Sequence, residues 1–514
     1  MFTIDLKSGY HHIEVATDHQ CYLGFSWVDP VSKRPQFYRF TVLPFGLSSA
    51  PHIFTKVLKP LEKHWRLNGA RIALFLDDGW GIASTRDACA SLSKTVKDDL
   101  LSAGDVSNDD KSVWEPRQSI LWLGIMWHSD SGAIEISERR VAKIVSTVCS
   151  IIDCEFVISA RCLASFTGQI VSTGPVVGNV SRIMNRHCSM SSACAPFWDA
   201  RLELDQYTKD EIIFWKENID FVKSRFCFLG RKPHVFGFSD ASATGCGAVI
   251  SLDSQHVCHK LWGSSEVSKS STWRELAAID FAIESFSSVL ESSHVKWYTD
   301  SQAAAKIVDV GSMKPDLHKL AIKIFGACLR SKIKLEIQWI PRTENEKADF
   351  ISRLIDVDDW QLTESFFTTL EGAWGPHSVD CMATFYNAKV DKFFSRFWNP
   401  GSAGVDFFVQ SLESENCLVV PPVVLIARVL HYLKVQRALA TLVIPFWPSS
   451  SFWPLIACTY AAAVQGYVLE DGSRAFMHGR NTNSLLGSKY FRGQVAGIRF
   501  DFRSGVKENL DISR

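Results

Sequence analysis

No Cys-x-x-Cys pair occurs in this chain of 514 residues, although it holds 14 cysteines. That absence argues against a zinc ribbon or finger, whose ligands come in such pairs. The cysteines are scattered, and a disulfide framework belongs to small secreted chains, so these read as reduced thiols. No apolar run approaches the roughly 18 residues that a membrane-spanning helix needs. The opening MFTIDLKSGY places Asp5 and Lys7 where a secretory leader would be apolar. The expectation is therefore an intracellular protein, cytoplasmic or nuclear. Net charge is lacking too: 55 Lys and Arg balance 55 Asp and Glu. This excludes a globally basic nucleic-acid coat, but not a basic groove on a neutral surface. No self-similarity at a period of about 20–50 residues is visible, which argues against a solenoid. What is present is material for cores. Hydrophobic residues make up 46% and charged residues 21%, and a chain of this length favours two to four domains of about 150 residues.

Four blocks emerge from the patterning. The first, 1–136, ends in ILWLGIMW (120–127), which reads as one apolar strand, and then a polar turn. The second, 137–230, reads as mostly helical. Ser137 is placed to cap a helix beginning ERRVAKIV, and Thr208 with Glu211 forms a capping-box pattern before IIFWKENIDFV. The third, 233–355, alternates β-like runs (VFGFSD, GAVISL, VKWYTD, KLEIQWI) with a helix-like WRELAAIDFAIESF and a last helix after Pro341. That is a mixed α/β pattern. The fourth, 356–514, carries Pro/Trp clusters such as PFWPSSSFWP. These would pack into a core, with base stacking as the alternative. Its last stretch, 474–514, is basic, with eight Lys and Arg against three Asp and Glu; this is either a solvated tail or a phosphate or partner contact.

Two groups of acids stand out. In ARIALFLDDGWGIAS (70–84), Asp77 and Asp78 occupy a turn between two apolar arms, and FTIDLKSGYHHIEV (2–15) has a strand ending in Asp5. Taken alone, an Asp-Asp turn also suits an ordinary polar hairpin. Carboxylates brought together from separate strands suit a different task. They can hold two divalent cations about 3.5–4 Å apart for phosphoryl transfer, and hard oxygen ligands favour magnesium.

The segments around these acids resemble the palm of a reverse transcriptase of the long-terminal-repeat and related retroelement type. FTIDLKSGYHHIEV resembles the first palm motif, LPFGLSSAP the template and nucleotide motif, and FLDD the Tyr-x-Asp-Asp box with Phe75 in place of Tyr. The resemblance implies that Asp5, Asp77 and Asp78 bind metal and catalyse. It makes Tyr10 the gate against a ribose 2′-OH, sets Phe45 and Gly46 near the base, and makes Lys111 a general acid toward pyrophosphate. LWLGI (121–125) resembles the strand that grips the primer. The family places a fingers region before the first motif, whereas Asp5 is the fifth residue here. The expectation is that nuclease chemistry is better preserved in this chain than DNA synthesis.

The second group is Asp240, Glu275, Asp300 and Asp349. Asp240 and Asp300 end strand-like runs. Glu275 lies in a helix whose apolar stripe is Leu276, Ile279 and Ile283, and Asp349 falls in the helix-like NEKADFISRL. Each acid singly would pass for a solvated residue or a cap. Four carboxylates converging on one sheet edge would repel and need cations between them. FSDAS, WRELAAI, YTDSQ and NEKADFISR resemble, in order, the four catalytic segments of ribonuclease H. The resemblance makes all four acids metal ligands and catalytic residues. One departure is visible: where many members carry a histidine before the last acid, this chain has Arg342 and Thr343.

Residues after 356 resemble the region that follows ribonuclease H in DIRS-like retroelements, which pair a reverse transcriptase with a tyrosine recombinase. None of the 15 histidines begins the His-x-x-Arg that a recombinase requires. Asp380 and Asp391 read as surface or capping residues, with a functional role as the alternative. The implied whole is an α+β multidomain protein. It comprises a palm lacking fingers (1–136), a helical thumb or connection (137–230), a ribonuclease H-like domain (233–355) and a C-terminal α/β region (356–514). Its implied cofactor is Mg2+, two ions per site, with Mn2+ as substitute. Its implied partners are RNA template, DNA primer, RNA–DNA hybrid, deoxynucleoside triphosphates and other retroelement-encoded proteins, with no membrane. The alternative is a truncated remnant that folds or binds nucleic acid without catalysis.

Overall fold

The computed structural model describes residues 1–226, 233–251, 255–488 and 491–503. The chain forms two compact units, Met1–Gly230 and Arg231–Arg514. The end of the basic stretch, 504–514, lies outside the described residues. Among the described residues the cysteines are free thiols, and no helix is long and apolar enough to cross a membrane.

The first unit opens with a three-stranded antiparallel sheet. Strand Asp78–Ile82 is central, between Phe2–Asp5 and Arg71–Phe75. Its hydrophobic side faces helices Ala50–Leu67 and Arg86–Ser102, with Phe2, Ile4, Phe54, Trp65 and Val96 in the core. The glycines of the central strand make this possible. Phe2 pairs with Gly81 and Ile4 with Gly79, and a Cβ on Gly81 would stand 2.3 Å from the Phe2 ring. A large side chain on one strand thus lies across the bare backbone of the next. Thr85 caps the second helix by accepting from the Ala88 N–H.

ILWLGIMW departs from the single strand expected of it. It forms a hairpin of Ser119–Trp122 and Ile125–His128, turning at Leu123 and Gly124, both with positive φ (49° and 73°). A two-residue turn with both residues left-handed matches the twist of flanking strands, so an apolar run with one glycine folds back on itself. With Ala133–Ile136 and Ser224–Phe226 this hairpin completes a four-stranded sheet.

The segment after 137 is largely helical, with helices at Glu138–Asp153, Ala160–Val171 and Gln206–Val222. It also holds a short ladder between Val157–Ser159 and Arg201–Glu203. Two capping expectations fail. Ser137 sits at the N-cap of its helix but makes no side-chain capping bond. The last helix starts two residues before Thr208 and is capped by Asp205, whose side chain accepts from the Thr208 N–H. Glu211 is thereby released for other work. Buried, it accepts the N–H groups of His187 (2.9 Å) and Cys188 (3.0 Å) at the start of helix Arg186–Ala193, where a carboxylate meets the positive end of the helix dipole.

The second unit begins with a five-stranded mixed sheet. Its order is Gln255–Leu261, Gly245–Ser251, Val235–Ala241, His294–Thr299, Lys334–Trp339. The first three strands run antiparallel and the last two lie parallel to Val235–Ala241. Helix Ser271–Ser285 buries Leu276, Ile279 and Ile283 against it, as the stripe predicts. Strand Gln255–Leu261 and helix Pro315–Arg330 carry weaker sequence signals and are added by the structure. A second mixed sheet comes after it, in the order Val379–Asp380, Asn416–Val419, Leu439–Pro445, Gln494–Asp501, Val464–Asp471. Helix Ile426–Val435 covers one face and Glu364–Trp374 the other. Phe446, Trp447, Phe452 and Trp453 of PFWPSSSFWP pack against that core. Asp380 is not the surface residue expected: it is buried, its carboxylate accepting from the Lys389 N–H at 3.1 Å.

Candidate active sites

In the first unit, the sheet register sets Asp5 directly opposite Asp78. Alternation along the two strands turns both away from the helical core that Phe2 and Ile4 enter. Asp77 occupies the tight loop between its strands, beside Leu76, whose φ is +55°. The loop is tied down, because the Leu6 N–H donates to the Asp77 carbonyl at 2.9 Å. Lys111 completes the group, with Nζ 3.8 Å from Asp5 Oδ2. The segment carrying it is held to the same strand, since the Asn108 N–H donates to the Asp5 carbonyl at 2.7 Å. Burial pushes the Asp78 carboxyl above its ordinary range; the charges of Asp77 and Asp5 add to this and Lys111 opposes it. Tyr10 packs against Phe45 with the rings tilted (4.9 Å between centroids) and meets Phe54 edge-on at 5.2 Å. Phe45 is 62% exposed, so the pair presents an aromatic surface. Gly46, at φ +91°, turns the chain immediately after it. Trp80, two residues beyond Asp78, packs with Trp122 and Trp127 of the hairpin at 5.9 and 5.3 Å, a cluster that sequence reasoning did not foresee.

The second unit gathers its acids more tightly. Carboxylate oxygens of Asp240, Glu275 and Asp300 lie within 4.8 Å of one another. Asp240 is next to last in the central strand, Asp300 directly follows the neighbouring parallel strand, and Glu275 is in the first turns of helix Ser271–Ser285. Parallel strands end together, which brings two acids separated by 60 positions side by side. Burial, then the charges of Asp240 and Asp300, pushes the Glu275 carboxyl up to about 9. Burial also raises Asp240 and Asp300. Glu275 Oε2 is buried without a hydrogen-bond partner.

Asp349 does not join this trio. It lies in helix Glu346–Ser352 and is ion-paired to Arg342 and, at 2.9 Å, to Arg353. Burial opposes its ionisation, but the bonds and charges of these two arginines hold its carboxyl below the usual range. Asp349 stands beside the three as an acid paired with two arginines, and its charge still reaches Asp240 and Asp300, raising both. Sequence reasoning also passed over Ser352 and Asn345. Ser352 Oγ donates to Asp240 Oδ2 at 2.6 Å, and Asn345 Nδ2 donates to the Ser239 carbonyl at 3.0 Å. Both sit in NEKADFISR, where Asp349 alone was singled out. Gly247 lets that helix approach the sheet, because a Cβ there would stand 2.4 Å from Ile351 and 2.7 Å from the Ser352 N.

A hard divalent cation suits this group. All donors are oxygens, as Mg2+ and Mn2+ prefer, and the orphaned Glu275 oxygen lacks the partner that a buried acceptor normally has. The acids of the first unit offer the same donor type on a more open support.

Comparison with known proteins bears on the first of these sites. Over 139 residues, 27% of this chain, the sequence is 24% identical to the Gag-Pol polyprotein of Avian reticuloendotheliosis virus, and it spans 12% of that polyprotein's length. Among solved structures, a foamy viral protease-reverse transcriptase in complex with RNA/DNA hybrid aligns with 70% of this chain and 47% of its own, at 14% identity and a TM-score of 0.36. The same viral protein in complex with dsDNA aligns with 66% of this chain and 67% of its own, at 15% identity and a TM-score of 0.37. Residues 1–127, which hold Asp5, Asp77 and Asp78, match the reverse transcriptase (RNA-dependent DNA polymerase) family.

Proposed function

We propose that this chain is part of a retroelement polymerase of the DIRS-like kind, in which a reverse transcriptase palm is followed by a ribonuclease H that cleaves the RNA strand of RNA–DNA hybrids. The observation that carries the nuclease reading is the convergence of Asp240, Glu275 and Asp300 around an unpartnered, buried carboxylate oxygen. The order of strands and helices that delivers these acids supports it. A divalent cation held there, Mg2+ or Mn2+, supplies Lewis-acid stabilisation of charge on a phosphoryl group.

The residues of the chain do the rest. Ser352 fixes one oxygen of Asp240 and leaves the other for a ligand. Trp339 Nε1–H donates to the Asp300 carbonyl at 3.0 Å and steadies the turn after the strand. Glu275 must give up its proton before it can bind a cation, so cation affinity rises with pH. RNA would be told from DNA by its 2′-OH groups and the shape of the hybrid.

In the first unit, Asp5, Asp77 and Asp78 would serve DNA synthesis on an RNA template from a DNA primer and deoxynucleoside triphosphates. Tyr10 and Phe45 would stand against the sugar and base, and Lys111 beside the leaving pyrophosphate. The protein would act inside the cell, alongside other products of the same element.

The test uses a labelled RNA–DNA hybrid with the full chain, in Mg2+ and in EDTA. Loss of the RNA strand in Mg2+, absent in EDTA and in Asp240→Asn, is expected. A folded, hybrid-binding protein that leaves the RNA intact would overturn the nuclease reading.

A further inference from the structure

A ribonuclease H calls for four carboxylates around its cations, and here one of the four, Asp349, is ion-paired to arginines. Asp349 is engaged by two guanidinium groups, and their surroundings differ. Arg353 sits one helical turn along the same helix, at 2.9 Å. Arg342 comes from the preceding short turn, Arg342–Glu344. It stands where its charge also reaches Asp240 and Asp300, so it is a cation facing three of the four acids. Its side chain is 63% exposed, which leaves it free to swing into solvent without disturbing the core. In their ionised forms, four carboxylates beside Arg342, Arg353 and Arg274, the last acting on Glu275, leave far less negative charge than two divalent cations carry.

Resting on the ribonuclease H reading, we infer that Arg342 is a built-in counter-cation of this site. It engages Asp349 in an ion pair beside the cluster, so that Asp240, Glu275 and Asp300 take one divalent ion readily and a second, which needs Asp349 as well, must displace the guanidinium. Arg342 is on this view a positioning residue. It sets how many cations the site holds at a given concentration, and it keeps the acids from repelling one another while the site is empty. A guanidinium suits the task, because its planar donors engage a carboxylate with charge-assisted bonds while carrying a single charge.

The experiment counts cations and does not depend on turnover. Mn2+ is titrated into the full chain, with free Mn2+ read by electron paramagnetic resonance. The chain carries Asp5→Asn and Asp78→Asn, so that the ions counted belong to the second unit. One ion is expected to bind well and a second weakly. Arg342→Gln is expected to tighten the second roughly tenfold or more, the factor that a hydrogen bond to a charged group is worth. Arg342→Lys, which keeps the charge, should stay near the parent, and adding Asp349→Asn to Arg342→Gln should abolish the gain. Two ions binding equally well in the parent, or a second ion unaffected by Arg342→Gln, would overturn the inference and leave the nuclease reading standing. If no ion binds and Asp240→Asn changes nothing, the nuclease reading falls and the inference falls with it.

Discussion

Asp77 and Asp78 stand at the tip of an antiparallel hairpin, whereas Asp240 and Asp300 stand at the ends of parallel strands inside a five-stranded wall. The first support is narrow, with Asp5 contributed by one flanking strand and Lys111 by a loop. The second is closed over by helices, and burial raises all three of its clustered acids. In the first site, water and a nearby lysine can soften repulsion between carboxylates. In the second, a protonated glutamic acid, a serine hydroxyl and two arginines share that task. The same donor chemistry thus leads to different electrostatics, because depth decides how much solvent remains to screen the charge.

That contrast can be broken most sharply at Asp300. Asp300→Asn should reduce Mg2+-dependent hybrid cleavage by at least about a hundredfold, on the scale of losing a preorganised electrostatic group, as read from initial rates on a labelled hybrid. Retained cleavage would show that the buried cluster is not the nuclease site.

Next in size is Gly247→Ala. The added Cβ would meet Ile351 and the backbone of Ser352, forcing helix Glu346–Ser352 off the sheet. The expected loss is about 1–3 kcal/mol, measured as a shift of the urea midpoint for the second unit. A shift confined to the first unit would refute this account of the packing.

Ser352→Ala probes the support of the cluster more gently. Removing the donor to Asp240 should weaken Mn2+ binding by roughly tenfold to a hundredfold, the usual cost of losing an outer partner of a metal ligand. The fold, checked by circular dichroism, should be kept. Equal affinity would mean that Ser352 is only a helix-end hydroxyl.

The smallest effect concerns Asp280, on the helix that carries Glu275. Burial pushes its carboxyl from 3.8 up to about 6, with Lys323 opposing and Glu284 adding to the shift, and Lys260 and Arg330 also facing it. A folded state that holds a proton the unfolded chain has released is most favoured below pH 3.8, and it loses that advantage as pH rises through about 6. Asp280→Asn should remove this slope. Its stability relative to the parent should grow between about pH 4 and pH 7 by on the order of 1 kcal/mol. A difference that does not change with pH would exclude Asp280 as the cause.

Much of this architecture was legible from local pattern. The hairpin around Asp77 and Asp78, the strand ending at Asp5 and the stripe of Leu276, Ile279 and Ile283 all arise from short-range periodicity, which the structure keeps. The hairpin within ILWLGIMW was not legible, because Leu123 is apolar and a left-handed turn at a non-glycine residue leaves no compositional mark. Glu211 was misplaced for a related reason. A capping pattern fitted it, but Asp205 caps the helix and the carboxylate turns inward to another helix start.

By itself the sequence determined which acids exist, their order and the elements that carry them, since propensity and alternation act over a few residues. Which acids meet was decided only by tertiary structure. Asp240 and Ser352 lie more than a hundred residues apart, and their 2.6 Å bond depends on a glycine that lets a helix close on a strand. Asp349 was equal to its three companions as a letter in the sequence. Its ion pairs with Arg342 and Arg353 are local, within seven residues, but only the tertiary structure sets that acid–arginine group beside strand-end acids far away in the sequence, where its charge reaches Asp240 and Asp300.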